Sequence, residues 1–207
     1  MSDRDWLVKK EGKCTPCKSG REWDLLRENY RFYRFLTELE DILNEADKKG
    51  ETEEIFLEQL RKLVRQLVLN SYWIKTRKPA PNYIDGTSIL LLYEELGFPL
   101  TIQIEKMLPG KTSPIHNHGT WGIVAVLQGE QKNIFWQRKP SPEYKDKIVK
   151  TEAKILQSGE IISFTTEAIH SIEAVGENPT ITLNLYGETD GNKRFMFDTN
   201  NHQAKHF

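Results

Sequence analysis

The spacing of hydrophobic residues predicts two helices in the first part of the chain. Over residues 22–49, apolar side chains recur every three or four positions and predict one buried helix face: Leu26, Tyr30, Tyr33, Leu36, Leu39 and Leu43. Gly50 ends this pattern. A second helix is predicted up to Lys78, with a buried stripe of Ile55, Leu60, Leu63, Leu67 and Ile74. Its acidic start and basic end suit the helix dipole, and Pro79 ends it.

After Pro81 the hydrophobic segments become short and are separated by Gly and Pro, which is typical of strands. In the strand predicted over residues 100–107, apolar Ile102 and Ile104 alternate with polar Gln103 and Glu105, so one face is buried. The other predicted strands are Ile89–Tyr93, Trp121–Leu127, Asn133–Gln137, Lys147–Leu156, Ile161–Phe164, Ser171–Val175, Thr180–Tyr186 and Arg194–Phe197. A series of this kind favours a β-sandwich or barrel.

These patterns predict a mainly β protein in three parts. Residues 1–20 show no apolar period and are expected to be an irregular, flexible leader. Residues 21–85 are expected to be a helical extension packed on the barrel, and residues 86–207 the β-barrel domain. The helices are expected to cover a pocket mouth or to form a subunit contact, so a homo-oligomer is one option.

Composition excludes several classes of function. The chain has 207 residues, and 29 basic and 30 acidic side chains leave a net charge of −1. This balance predicts no nucleic-acid partner and no membrane partner. The charged N-terminus does not resemble a signal peptide, and the longest apolar stretches are too short to span a bilayer. A cytoplasmic location is therefore expected.

The histidines are the strongest candidates for chemistry. Only five are present, and two of them form His116-Asn117-His118. Residues i and i+2 of an extended chain point to the same side, so both imidazoles can reach one metal ion. His170 belongs to another strand-like segment that a closed β domain can bring close. These three histidines are the predicted ligands of one mononuclear divalent metal.

The surrounding glycines resemble the two sequence motifs of the cupin superfamily over roughly residues 86–200. The first motif is matched at Gly110, His116, His118 and Gly129, and the second at Gly159 and His170. The resemblance implies a double-stranded β-helix, which is a jelly-roll barrel. Gly122 stands where the first motif usually has a glutamate ligand.

The missing glutamate changes the expected chemistry. Three neutral imidazoles leave a divalent ion with its full charge and with open positions, which favours an anionic thiolate. Residues 114–122 (PIHNHGTWG) and 127–129 (LQG) resemble the thiol dioxygenases, namely cysteine dioxygenase and its bacterial 3-mercaptopropionate relatives. This resemblance implies Fe(II), with Ni, Zn or Mn as other metals. It also implies a reaction that converts a small thiol and O2 into a sulfinate.

The same family implies roles for residues around the metal. Its Ser-His-Tyr series corresponds here to Thr182, Asn184 and Tyr186, and Asn184 cannot carry a proton as histidine does. Tyr186 and Asn184 are the predicted catalytic residues. Arg194 is the predicted partner of a substrate carboxylate, because arginine binds carboxylates through two parallel hydrogen bonds. Trp121 is a candidate lining residue.

Three alternatives remain open on the sequence alone. The chain is compatible with another cupin enzyme that uses Mn, Ni or Zn, because imidazole ligands alone do not select iron. It is also compatible with a metal-holding binding protein without turnover, since Asn184 departs from the family pattern. A second metal site is a further option, with Cys14 and Cys17 joined by His202 and His206.

Overall fold

The structure is a computed structural model and describes residues 5–19, 30–95 and 98–206. The helices in these ranges are α1 (Phe32–Lys49), α2 (Glu53–Asn70) and α3 (Tyr72–Thr76), with a 3₁₀ turn at Gly191–Lys193. The described residues also form thirteen strands: β1 (Asp5–Val8), β2 (Cys14–Cys17), β3 (Thr87–Glu95), β4 (Phe98–Met107), β5 (Ile115–His116), β6 (Gly122–Gln128), β7 (Glu130–Arg138), β8 (Ile148–Gln157), β9 (Ile161–Phe164), β10 (Ile169–Val175), β11 (Thr180–Tyr186), β12 (Phe195–Asp198) and β13 (Gln203–His206).

The strands form two sheets with jelly-roll topology. The seven-stranded sheet has the order β2-β1-β9-β6-β11-β4-β3, and the six-stranded sheet has the order β13-β12-β5-β10-β7-β8. The eight strands from β4 to β11 divide into neighbours β9-β6-β11-β4 in one sheet and β5-β10-β7-β8 in the other. The chain therefore winds repeatedly from one sheet to the other, as in a double-sheet jelly roll. The predicted fold class, a jelly-roll barrel with helices before it, is confirmed.

Helices α1 and α2 resemble the predicted pair, with different boundaries. The part of the first predicted helix at residues 22–29 lies outside the described residues. Gly50 ends α1 in the left-handed conformation with φ of 62°, which glycine adopts without steric cost. The second predicted helix divides at Ser71, because its hydroxyl accepts a hydrogen bond from the Ile74 amide and begins α3. No helix in the described residues is long and apolar enough to cross a membrane.

The predicted leader contains two strands instead of irregular chain. β1 runs parallel to β9 and antiparallel to β2, so it extends the seven-stranded sheet. Asp5 is buried in β1, where its carboxylate forms an ion pair with Arg65 of α2. The strand has only four residues, and one of its buried positions is this charged residue, so it shows no apolar period. Pro16 is tolerated in β2 because this is an edge strand.

The nine predicted strands all appear, with ends shifted by a few residues. The short strands β1, β2, β5 and β13 were not predicted. β5 has only two residues, and β13 is mostly exposed, so neither gives a hydrophobic pattern. Both belong to the six-stranded sheet, and β5 carries one of the predicted metal ligands.

The seven-stranded sheet has two buried faces. Its outer face packs against α1 and α2 in one continuous apolar cluster that includes Leu57, Leu60, Ile102, Ile104, Ile123, Leu183 and Leu185. Its inner face turns toward the barrel interior, where Val124, Val126, Ile162 and Phe164 pack with Phe135 and Leu156 of the other sheet. The inner face of β4 and β11 is polar, and these two strands form one wall of a cavity.

Candidate metal centre

A cavity of about 340 Å³ opens into the barrel beside the three predicted histidines. Its wall combines residues of both sheets: Thr101, Gln103, Glu105, Val124, Asn184 and Tyr186 from the seven-stranded sheet, and His116, Gln131, His170 and Ile172 from the six-stranded sheet. His118 and Arg194 come from connecting segments. A volume of this size suits a small molecule.

The three histidines converge on one point. Their ring centroids form a nearly equilateral triangle with sides of 4.8, 4.9 and 5.0 Å. One ligand atom from each ring lies within 4.8 Å of the others. The Nε2 atoms of His118 and His170 are 2.9 Å apart. Two nitrogens bound to one ion at right angles, each about 2.1 Å from it, lie about 3.0 Å apart, so this spacing fits a shared metal.

The backbone explains why the histidines of the HxH segment can meet. His116 lies in β5 opposite His170 of β10, so these two rings share one side of the six-stranded sheet. Asn117 points the other way, where its side chain accepts a hydrogen bond from the Phe195 amide and donates one to the Lys193 carbonyl. These two bonds hold the segment in place and turn His118 back toward the cavity.

Hydrogen bonds fix the tautomers of two of the ligands. His116 Nδ1 lies 2.9 Å from the Pro114 carbonyl, which only accepts, so Nδ1 carries the proton. His170 Nδ1 donates to Asn133 Oδ1 at 3.1 Å, and the Asn133 amide group in turn donates to Gln131. In both rings Nε2 is therefore the nitrogen with the lone pair, as a metal ligand requires.

Burial keeps the ligand rings neutral. Desolvation lowers the pKa of His118 and of His170 well below the usual value for histidine, and the neighbouring His116 lowers both further. The pKa of His116 is also lowered, again chiefly by desolvation. A neutral imidazole is the metal-binding form, so the site stays ready to bind a cation at pH 7.

Gly122 has no room for a side chain, and this explains the missing glutamate in steric terms. A Cβ atom at Gly122 would lie 2.9 Å from Cδ1 of Tyr186, which is its partner in the β6–β11 ladder. The Tyr186 ring stacks on His118 with centroids 4.7 Å apart. The space that a side chain at position 122 would need is therefore filled by the tyrosine.

Tyr186 and Asn184, the predicted catalytic residues, both line the cavity. Burial raises the pKa of Tyr186, and the nearby Glu105 carboxylate raises it further, so the phenol stays protonated. Asn184 forms a hydrogen bond with Tyr186 and donates another from Nδ2 to Glu105 Oε2 at 2.9 Å. Thr182 lies two residues before Asn184 on the same strand and is fully buried.

Glu105 is a cavity residue that the sequence interpretation missed. Desolvation raises its pKa, and the hydrogen bond from Asn184 partly offsets this effect. The alternation of Gln103 and Glu105 with isoleucines predicted one buried apolar face and no role for the polar one, whereas the polar face of β4 lines the interior cavity. A closed β domain places one face of every strand inside, but the alternation in β4 does not tell which face this is.

Arg194, the predicted partner of a substrate carboxylate, lines the cavity directly before β12. Partial burial lowers its pKa, whereas the nearby Tyr186 raises it, and its positive charge contributes to the lowered pKa of His118. Arg138 and Arg77 lie outside this cavity. Arg138 contacts Asp146 and the rings of Phe195 and Phe197, and Arg77 lies over Trp73.

Trp121 does not line the cavity in the described part of the chain, which corrects its prediction as a substrate-binding residue. It lies on the outer side of the seven-stranded sheet and packs edge-on against Phe56 of α2, with centroids 5.6 Å apart. The turn after His118 directs the tryptophan outward, so it anchors the helical extension to the barrel.

The alternative second metal site is not formed. In the part of the chain that the structure describes, His116, His118 and His170 are the one group of three or more such ligands whose atoms meet closely. Cys14 lies in β2 near Glu152, and burial raises its pKa to about 12. His202 instead contacts Tyr144, and His206 contacts Phe195.

Comparisons with known proteins show only remote likeness. No family model matches the sequence, and no curated protein is significantly similar to it. Among solved structures, a cupin superfamily protein from Desulfitobacterium hafniense is 13% identical over 57% of this chain and 90% of its own, with a TM-score of 0.42. The cupin domain of Cnp3 from Schizosaccharomyces pombe is 12% identical over 58% and 74%, with a TM-score of 0.43. An oxalate oxidase in complex with glycolate is 15% identical over 56% and 57%, with a TM-score of 0.41.

Proposed function

We propose that this chain is a mononuclear non-haem iron thiol dioxygenase that converts a small thiol to its sulfinate with O2. The observation that carries the proposal is the ligand set. Three neutral histidines converge at a cavity, and the Tyr186 ring excludes a carboxylate from position 122. An ion held in this way would keep its full positive charge, which favours an anionic thiolate as the next ligand.

The histidines His116, His118 and His170 would hold the iron through their Nε2 atoms. When bound, iron(II) supplies positions at which a thiolate and O2 can meet. The overall reaction, RSH + O2 → RSO2H, balances without a further reductant.

Tyr186 is suited to donate a hydrogen bond at this centre. Its raised pKa keeps the hydroxyl protonated, and its ring is held between Gly122 and His118. Asn184 orients that hydroxyl but cannot accept a proton from it, since an amide is not basic. We therefore infer that Tyr186 orients bound ligands and does not act as a general base.

Arg194 is suited to bind an anionic group of the substrate on the side of the cavity near His118. Its guanidinium is partly desolvated, so a carboxylate would be bound more strongly there than on the open surface. A thiol that carries a carboxylate could thus reach the metal and Arg194 together.

The test is to load the purified protein with Fe(II) and to offer cysteine, 3-mercaptopropionate and cysteamine. We expect O2 uptake and an equal amount of sulfinate with at least one of them. His118→Ala should lose both the bound iron and the activity. His206→Ala is the matched control, because this histidine is exposed and contacts Phe195 outside the cavity.

Iron binding without sulfinate from any thiol would reject the dioxygenase proposal while leaving the metal site standing. A protein isolated with Mn, Ni or Zn, and active only with that metal, would favour another metal-dependent enzyme. An unchanged metal content in His118→Ala would reject the metal site itself.

A further inference from the structure

Strands β4 and β11, which form one wall of the cavity, carry buried acceptors that lack donors. Asn184 Oδ1 and Thr182 Oγ1 are fully buried and have no hydrogen-bond partner among the described residues. Next to them, the Glu105 carboxylate accepts one hydrogen bond, from Asn184 Nδ2 at 2.9 Å. Buried acceptors without donors are costly, so such a group requires an explanation.

The three groups share one face of the sheet. Glu105 lies directly opposite Thr182 in the β4–β11 ladder, and Asn184 follows two residues later on the same side. Glu105 and Asn184 both line the cavity. We call Glu105, Thr182 and Asn184 the acceptor cluster.

The acceptor cluster has the chemistry of a cation site. In the described part of the chain, Glu105 forms no ion pair with Lys or Arg, and its pKa is affected chiefly by desolvation and by neutral Asn184. A carboxylate desolvated in this way is stabilised by an opposite charge. An ammonium group is the best match, because it has three donors and no acceptor, and Glu105 and Asn184 offer acceptors at the cavity wall.

The position of the acceptor cluster relates it to the metal centre. Asn184 precedes Tyr186 by two residues, which corresponds to roughly 7 Å along a strand, and Tyr186 stacks on His118. Glu105 and Asn184 line the same cavity as His116, His118 and His170, so one small molecule in this cavity can face both groups. Arg194 lines the same cavity near Tyr186 and would be left for a carboxylate.

We propose that Glu105 and Asn184, supported by Thr182 opposite Glu105 in the ladder, bind the ammonium group of the substrate, which makes the substrate an aminothiol. This inference rests on the proposed function for the thiol, whereas the amine site rests on the acceptor cluster alone. A thiol without an amine, such as 3-mercaptopropionate, leaves the cluster unsatisfied and gains nothing from it.

The experiment measures binding without turnover. The protein is loaded with Zn(II), which has no redox chemistry, and is titrated anaerobically by calorimetry with cysteamine, cysteine and 3-mercaptopropionate. Glu105→Gln keeps the shape of the side chain and removes its charge. We expect it to weaken cysteamine binding at least about tenfold, and to leave 3-mercaptopropionate within about twofold.

Two further variants support the result. Thr182→Val removes a buried hydroxyl with little change of volume, and we expect a smaller loss for cysteamine of about two- to tenfold. It also provides the test if Glu105→Gln does not fold. Glu173→Gln is the matched control, because this glutamate pairs with Lys132 at the surface and should leave all three affinities unchanged.

The outcomes separate this inference from the proposed function. Equal losses for cysteamine and 3-mercaptopropionate, no loss for cysteamine, or no binding of any aminothiol would overturn the amine site. A tenfold selective loss together with no O2 uptake by the iron form would support the amine site and reject the dioxygenase. Sulfinate formation by the iron form, without a selective loss of cysteamine binding in Glu105→Gln, would support the dioxygenase and reject the amine site.

Discussion

The two faces of the seven-stranded sheet carry side chains of opposite character, although the same strands supply both. The outer face of β4 and β11 presents Ile102, Ile104, Leu183 and Leu185 to the helices. The inner face presents Gln103, Glu105, Asn184 and Tyr186 to the cavity. Both faces are enclosed, so the difference is not one of core against solvent.

Within one strand, the outer face therefore contributes to stability and the inner face to the candidate site. The outer face removes apolar surface from water, which is the main source of folding free energy. The inner face holds polar groups whose hydrogen bonds are partly unmade, such as Asn184 Oδ1. We therefore expect substitutions on the outer face to change the free energy of unfolding, and those on the inner face to change binding.

The largest effect is expected from a pair of neighbouring substitutions in β4. Ile104→Ala leaves a cavity under the helices, because this side chain is fully buried, and should lower the free energy of unfolding by about 2–5 kcal/mol. Gln103→Ala, one residue earlier on the inner face, should cost less than about 1 kcal/mol. Urea denaturation of both variants measures the difference. Similar losses would show that both faces contribute equally to stability.

A smaller effect is expected where the inner face is tightly packed. Gly122→Ala places a methyl group against the Tyr186 ring and should lower the free energy of unfolding by about 1–3 kcal/mol. Tyr186→Ala removes the obstacle, so the double variant should lose less than the sum of the two single losses. Strictly additive losses would mean that the tyrosine ring does not limit the space at position 122.

The smallest effect is expected from a substitution of Glu105, and it is an increase in the free energy of unfolding. Burial raises the pKa of this carboxyl above its ordinary value, so the folded protein binds the proton more tightly than the unfolded chain. Stability from this group is present at low pH and is lost as the pH rises through the raised pKa. Glu105→Gln should therefore raise the free energy of unfolding at pH 8 by about 0.5–2 kcal/mol, and should give no gain at pH 4. A gain that is equal at both pH values would contradict this.

Much of the barrel could be predicted because most strands are long and have apolar positions at regular spacing. The strands β4, β9 and β11 were read from such runs. Strand β1 could not be predicted in this way, because one of its few buried positions is Asp5. The partner of Asp5, Arg65, is brought close only in the folded chain. A pattern of apolar residues does not reveal a strand whose burial depends on an ion pair.

The candidate site was predictable where motif spacing fixes it, and less so elsewhere. His116, His118 and His170 come together because sequence spacing and sheet register agree. The side of the sheet on which Trp121 lies depends on the turn after His118, and no local sequence pattern predicts the direction of that turn. The role of Glu105 depended on which side of β4 closes the barrel, and alternation alone is identical for either choice.

The parallel pairing of β1 with β9 bears on how the protein acquires its structure during synthesis. β1 is the earliest described strand, yet its neighbour in the sheet begins at Ile161. Pairings between segments so distant in sequence form slowly, because the entropy cost of closing a long loop comes before any stabilising contact forms. Arg65 can hold Asp5 on α2 in the meantime, so β1 would already lie beside the helices when β9 is synthesised.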